Sequence, residues 1–363
     1  MIVVAKVGTS SITDERGEIV TAAIDKFCAE VAGLRGRGDK VIVVTSGAIA
    51  AGLPPLGLGG ARPTDLPTLQ AVSAVGQGRL IRVYDDVLGR HNLVAGQVLL
   101  APLDFVHRSQ YLHARQTLTR LLDLGVVPIV NENDAIADDE IRFGDNDRLA
   151  ALVAHLVNAQ ELVILTDMPG VLTADPRFNE DASLIEEIVE VDQELEAMAG
   201  GAGTVRGSGG MASKLAAAKI AAWSGVRAVI AAADRPGVLA GAVAGDPGIG
   251  TVVRPHDRRL PARKLWIAFA VGASGRIVVD DGARRALTER GTSLLPAGVV
   301  EVQGSFDAED AVEIVGTDGK VFAKGLSSHS AARVKEWAGS RTTDLPVDVP
   351  HEIVHRDNLV VLP

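Results

Sequence analysis

A single cysteine, Cys28, stands in 363 residues, which excludes an intrachain disulfide framework and fits a reducing compartment. Aromatic residues make up only 3%, few for the stacked-base surfaces on which RNA is usually held. Positive charge is short as well. The 36 Lys and Arg against 46 Asp and Glu leave a formal net charge of −10, which argues against nucleic-acid binding over the whole surface but permits a local basic patch. No apolar run approaches the ~20 residues of a membrane helix. Met1-Ile-Val-Val-Ala-Lys6 enters a strand-like stretch directly, with no basic leader or cleavage site. Also missing are G-x-x-x-x-G-K-[ST] and a G-x-G-x-x-G with its later acidic residue, so any nucleotide is held by neither a P-loop nor a dinucleotide fingerprint. There is no solenoid repeat. What these absences leave is a cytoplasmic globular protein, and its length suits one large and one small domain.

What is present is first a succession of nearly continuous Val, Ile and Leu runs: Ile2–Val7, Val41–Thr45, Val94–Leu100, Val126–Val130, Leu162–Thr166 and Val226–Ala231. Continuity instead of alternation predicts parallel strands covered on both faces. Helical spacing fills the intervals, as in Ala22–Leu34, Leu69–Leu88, Tyr111–Leu122, Arg148–Leu156 and Ser213–Trp223. The alternation predicts an α/β layered fold with right-handed crossovers, whose active site lies at the carboxyl ends of the strands. Near residue 262 the texture changes. A connector rich in Pro and basic residues, Arg254 to Lys264, precedes short strand-like pieces at Arg276–Val279, Val299–Val302, Ala311–Ile314 and Lys320–Ala323. The expected domains are therefore 1–255 and a small, mostly β module at 262–363.

The strand ends carry the chemistry. The first runs into Lys6-Val-Gly8-Thr9-Ser10, where glycine admits close backbone approach and an ammonium neutralises phosphate. The second ends in Thr45-Ser46-Gly47-Ala48, a turn of small residues opening a helix. The fourth ends in Asn131-Glu132-Asn133-Asp134, followed by Gly144-Asp145-Asn146-Asp147. This acidic density could hold a metal or an amino-acid ammonium, or simply be a solvated loop. The fifth ends in Thr166-Asp167. Finally, Gly207-Ser208-Gly209-Gly210-Met211-Ala212-Ser213-Lys214 leads into a helix. A lysine in the first helical turn opposes the dipole unless a polyanion sits between them. His351-Glu-Ile-Val-His355 matches the H-E-x-x-H zinc pattern, but it follows Pro350, holds two β-branched residues and lies too near the end for a long helix.

Taken together and in this order, these motifs resemble the glutamate 5-kinases of the amino-acid kinase family, which carry a C-terminal PUA domain. The resemblance covers essentially the whole chain. It includes Asp175-Pro176-Arg177 and, in the small module, Asp281-Gly282-Ala283 and Ser293 to Gly298. It implies a three-layer αβα sheet, mainly parallel, followed by the PUA module. It implies ATP contacts from Lys6, Gly8, Thr166, Asp167, Ser208, Gly209, Gly210, Met211, Ala212, Ser213 and Lys214, with Mg²⁺ on the nucleotide and no ligand residue assigned to the metal. It implies glutamate contacts from Ser46, Asp134 and Asn146, and catalytic roles for Lys6, Lys214, Asp145 and Asp147. Proline as feedback inhibitor, a loop from Ala135 to Phe143 as the flexible element, a homo-oligomer and a glutamate-5-semialdehyde dehydrogenase partner also follow from it. The chain departs from the family at Glu309, where Gly is usual, at His329, where Tyr is common, and at His113, where Asn is frequent.

In physical terms the nucleophile is a γ-carboxylate already ionised at neutral pH, since its pKa lies near ~4.3. No general base is required. The obstacle is repulsion between two anions, so catalysis reduces to alignment and charge neutralisation. Two other readings stay open. One is a sibling kinase acting on acetylglutamate, aspartate, carbamate or a nucleoside monophosphate. The other is RNA binding through Arg254, Arg258, Arg259, Arg263 and Lys264 and the small module.

Overall fold

The computed structural model describes residues 1–59, 63–105, 107–136, 146–177, 179, 181–199, 210–257, 259–346 and 349–362. Two compact units divide the chain, Met1–Arg259 and Leu260–Pro363.

The first unit holds strands β1 (Ile2–Val7), β2 (Lys40–Thr45), β3 (Ala95–Leu100), β4 (Val127–Glu132), β5 (Glu161–Thr166), β6 (Glu187–Ile188), β7 (Arg227–Ala232) and β8 (Thr251–Val253). They form one sheet in the order β3-β4-β2-β1-β5-β7-β8-β6. Every pairing is parallel except β7 with β8. The six predicted strands are all present, within a residue or so at each end, except that β4 runs on to Glu132. The two short strands β6 and β8 carry too few apolar residues to read as elements in the sequence. Helices α1 (Thr9–Ile12), α2 (Thr21–Gly36), α3 (Ala48–Gly52), α4 (Leu66–Arg90), α5 (Arg108–Asp123), α6 (Asn146–Leu156), α7 (Gln193–Ala199), α8 (Met211–Trp223) and α9 (Val238–Ala244) complete it.

Strand period two sorts the core. Val3, Ala5 and Val7 of β1, with Val41 and Val43 of β2 and Val163 and Leu165 of β5, pack against α2, α4 and α9. The alternate residues, including Val4 and Lys6, turn to the other face, where α6 packs on β1 and α8 on β7. Helices on both faces are why these strands lack the alternation of a half-exposed sheet. They are also why a lysine at position 6 is buried, at 5% exposure. No helix among the described residues is long and apolar enough to cross a membrane.

The second unit is a five-stranded sheet, β9 (Gly275–Val279), β10 (Val299–Gly304), β11 (Ala311–Gly316), β12 (Val321–Leu326) and β13 (Leu359–Val361), in the order β10-β9-β11-β12-β13. Only β9 with β11 is parallel. Ile277, Val312, Ile314, Phe322, Val334 and Trp337 lie in its core. Glu309 adopts φ 73, a left-handed conformation that glycine takes at no steric cost. His329 takes a hydrogen bond with the Pro350 carbonyl at 2.8 Å and meets Trp337 edge-on. The H-E-x-x-H stretch is not helical. Val354 bridges Leu294, and His355 caps a short turn at Arg356–Asn358, so the two imidazoles share no helix face.

Candidate active site

The carboxyl ends of β1, β2, β4 and β5 converge with the amino ends of α6 and α8. In register, Lys6 lies beside Val44 of β2 and Ile164 of β5. The chain beyond Lys6 turns at Gly8, which sits just before α1 with extended φ and ψ. A Cβ built at Gly8 would find only the Lys6 Nζ within 4 Å, at 3.8 Å. The space over Gly8 beside the ammonium is therefore open, the form of a cradle for a phosphate oxygen.

Asp147 is the hub. It occupies the first turn of α6 and is fully buried. Lys6 Nζ lies 2.5 Å from its Oδ1, and Lys214 Nζ lies 3.1 Å from its Oδ2. The Ser213 Oγ also donates to Oδ2, at 2.9 Å. Burial pushes the Asp147 carboxyl up, but the two ammoniums overcome it and hold the group down at about 2. Lys214, in the first turn of α8, is itself only 8% exposed. Its place at the positive end of a helix dipole is unfavourable alone, and the shared carboxylate offsets it. One carboxylate divided between two ammoniums neutralises neither fully, which suits a site that receives a further anion.

A second group of residues surrounds the end of β4. The Glu132 amide donates to Asn131 Oδ1 at 2.9 Å and to Asn146 Oδ1 at 3.2 Å, tying α6 to the strand end. Asp134 Oδ2 accepts from Ser73 Oγ at 3.0 Å. Ser46 follows Thr45, and its amide donates to the Val7 carbonyl at 3.2 Å, so the β1 and β2 loops are pinned side by side. Gly47 takes φ 99 at the entry to α3, a conformation that makes glycine the natural residue there. Thr166 ends β5, buried, and its Oγ1 donates to Asp167 Oδ1 at 3.0 Å.

The structure thus brings together Lys6, Asp147, Ser213 and Lys214 directly, with Gly8, Gly210, Met211 and Ala212 at the flanking helix ends. Ser46, Asp134, Asn146, Thr166 and Asp167 lie on the adjoining strand-end loops. Asp145, Ser208 and Gly209 lie outside the described residues, as does the loop through Phe143 beyond Ile136. Sequence reading missed Ser73, Gln77 and Tyr84 of α4. Gln77 Nε2 donates to the Glu132 carbonyl at 3.3 Å, and Tyr84 shares a 2.9 Å hydrogen bond with Thr45 Oγ1. The signal available was three polar residues on the buried side of an otherwise apolar helix face. Of the basic run, Arg254 is forked onto Glu187 and Arg259 is held by Asn158, while Arg258 lies outside the described residues.

A sheet covered by helices on both faces, with two buried lysines on one aspartate at its carboxyl edge, is an arrangement suited to receiving a polyanion. The family model for the Amino acid kinase family matches residues 1–232, and that for the PUA domain matches 275–346; the chain belongs to the amino acid kinase family. Glutamate 5-kinases are among the proteins it resembles over its full length. That of Pelobacter propionicus is 43% identical over 99% of this chain and 97% of its own. That of Ralstonia nicotianae is 46% identical over 99% and 96%. Among solved structures, the isopentenyl phosphate kinase product complex of T. acidophilum matches with a TM-score of 0.49 at 20% identity, over 70% of this chain and 100% of that one.

Proposed function

We propose that this chain transfers the γ-phosphoryl group of ATP to the γ-carboxylate of L-glutamate, forming γ-glutamyl phosphate, the opening step of proline biosynthesis. The observation that carries the reading is the buried Lys6–Asp147–Lys214 unit in a chain similar over its full length to glutamate 5-kinases.

ATP lies over Gly8 and the amino end of α8, with Thr166, Asp167 and the stretch from Ser208 to Lys214 as its contacts. Lys6 and Lys214 face the transferring phosphoryl group and draw charge from its equatorial oxygens. Asp147 holds both ammoniums in place, since both of its oxygens are engaged by them. Mg²⁺ bound with the nucleotide would supply further neutralisation of the triphosphate beside Lys6 and Lys214. Ser46, Asp134 and Asn146 hold glutamate, with Asp134 on the α-ammonium. The substrate carboxylate arrives ionised, so the protein supplies alignment and positive charge and removes no proton. Proline inhibits at or beside the glutamate site. The acyl phosphate is prone to hydrolysis, which favours handover to a glutamate-5-semialdehyde dehydrogenase. The enzyme works in the cytoplasm as a homo-oligomer.

The test is ADP release with glutamate, N-acetylglutamate, aspartate and carbamate in turn, each with and without proline. Stimulation by glutamate, suppressed by proline, is the expected result. Stimulation by another acid alone transfers the chain to a sibling kinase.

A further inference from the structure

The glutamate loops rest on one helix. Along α4, Ser73, Gln77 and Tyr84 recur at intervals of four and seven residues, which at 3.6 residues per turn places them within about 40° of one another. All three are buried, at 0%, 9% and 0% exposure. Each bonds to a different point of the substrate region: Ser73 to Asp134, Gln77 to the Glu132 carbonyl and Tyr84 to Thr45.

The same helix is locked against the entry to the Ser46 loop. A Cβ on Gly76 would lie 1.7 Å from the Ala48 carbonyl oxygen, and one on Gly52 would lie 2.0 Å from that of Val72. The backbones of α3 and α4 are therefore in direct contact, and neither glycine tolerates a side chain there. A polar stripe on a buried helix face costs stability unless each group is engaged. Here every member is engaged, and by groups at the ends of β2 and β4.

We propose that Ser73 is a positioning residue for the amino-acid substrate, acting through Asp134, with α4 as the element that sets the Ser46 and Asp134 loops at a fixed separation. The proposal rests on the glutamate reading given above. The Ser73 hydroxyl holds the Asp134 carboxylate in one orientation for the substrate ammonium. Ser73 reaches the site through its hydrogen bond to Asp134, so its effect is expected on amino-acid binding.

The experiment is steady-state kinetics on the full chain and its S73A, D134N and S73A/D134N variants. Alanine is a strong helix former and removes only one oxygen, so the fold is retained. S73A is expected to raise KM for glutamate roughly tenfold or more, the scale for a hydrogen bond to a charged group, with kcat and KM for ATP retained. In the D134N background the same substitution adds little, because the carboxylate charge that Ser73 orients is already gone. If wild-type enzyme fails to turn over glutamate, the functional reading falls and this proposal with it. If wild type turns over glutamate but S73A keeps the wild-type KM, only the positioning role falls. A full additive effect in the double variant, or equal losses toward ATP, likewise overturns it.

Discussion

At the carboxyl end of the large sheet Asp147 divides its oxygens between Lys6 and Lys214, whereas at the amino end Glu161 faces the single guanidinium of Arg227. Glu161 and Arg227 open β5 and β7 and lie directly opposite in register. Arg227 also donates to the Ala242 carbonyl at 2.9 Å, so part of its charge is spent on the backbone of α9. Both carboxylates are buried, at 0% and 3% exposure, yet they settle on opposite sides of the ordinary range. Asp147 is held at about 2, while burial pushes Glu161 up to about 7 against the pull of Arg227. The difference teaches that burial alone does not decide the charge state of a carboxylate. The number and placement of the cations facing it do. Two ammoniums hold one carboxylate firmly ionised at the carboxyl end, while at the amino end burial outweighs the single guanidinium.

The largest effect that tests this contrast is expected from Asp147→Asn. Lys6 and Lys214 lose their shared carboxylate while staying buried, and removing one side of such a unit costs about 3–5 kcal/mol. Urea unfolding measures it, and ATP with Mg²⁺ should restore more stability to the variant than to wild type, because triphosphate oxygens replace the lost anion. A variant as stable as wild type would show that the ammoniums do not depend on Asp147. Next in size is Lys214→Ala, for which kcat should fall at least ~100-fold, the scale of one preorganised electrostatic group. Near-normal turnover in the folded variant would remove Lys214 from the chemistry.

Gly8→Ala is smaller and probes the open space instead of the charge. Gly8 has φ −84 and ψ 162, which alanine adopts freely. The added methyl meets only the Lys6 Nζ, at an ordinary 3.8 Å. Stability should therefore be unchanged, while KM for ATP rises at least roughly tenfold through overpacking against the nucleotide. A KM for ATP left at the wild-type value would place the phosphates elsewhere.

The two ends were not equally legible in the sequence. The strands of the large sheet were legible because both faces are covered, so Val, Ile and Leu run on unbroken through β1, β2 and β5. Lys6 was legible as a polar residue at the end of such a run, Asp147 in an acidic loop, and Lys214 as a lysine set against a helix dipole after a glycine stretch. That Asp147 engages both lysines was not, because residues separated by 141 and 67 positions meet only through strand order and the alternation that turns Lys6 toward α6 and α8. Ser73 and Gln77 went unnoticed for the opposite reason: a serine or glutamine on a long amphipathic helix is unremarkable until the partner loop is placed against it. Glu161 and Arg227 were not singled out, since nothing local announces that they face each other across two strands or that Arg227 reaches α9.

Glu161→Gln gives the smallest and most discriminating effect. A carboxyl whose folded pKa lies above its unfolded value keeps its proton in the fold while the unfolded chain has already lost it. Stability from this source is therefore fully present below about pH 4.5 and is lost as pH rises toward about 7. From pH 6 to pH 8 the loss amounts to about 1 kcal/mol, given 1.36 kcal/mol per pKa unit. Asp147, shifted the other way, loses its contribution only as pH falls through about 2, so it is silent in this window. Glutamine does not titrate, so the difference between variant and wild-type unfolding free energies should move in the variant's favour by that amount across the window, with turnover retained. Parallel curves would mean that Arg227 keeps Glu161 ionised throughout, and the amino end of the sheet would then follow the same rule as the carboxyl end.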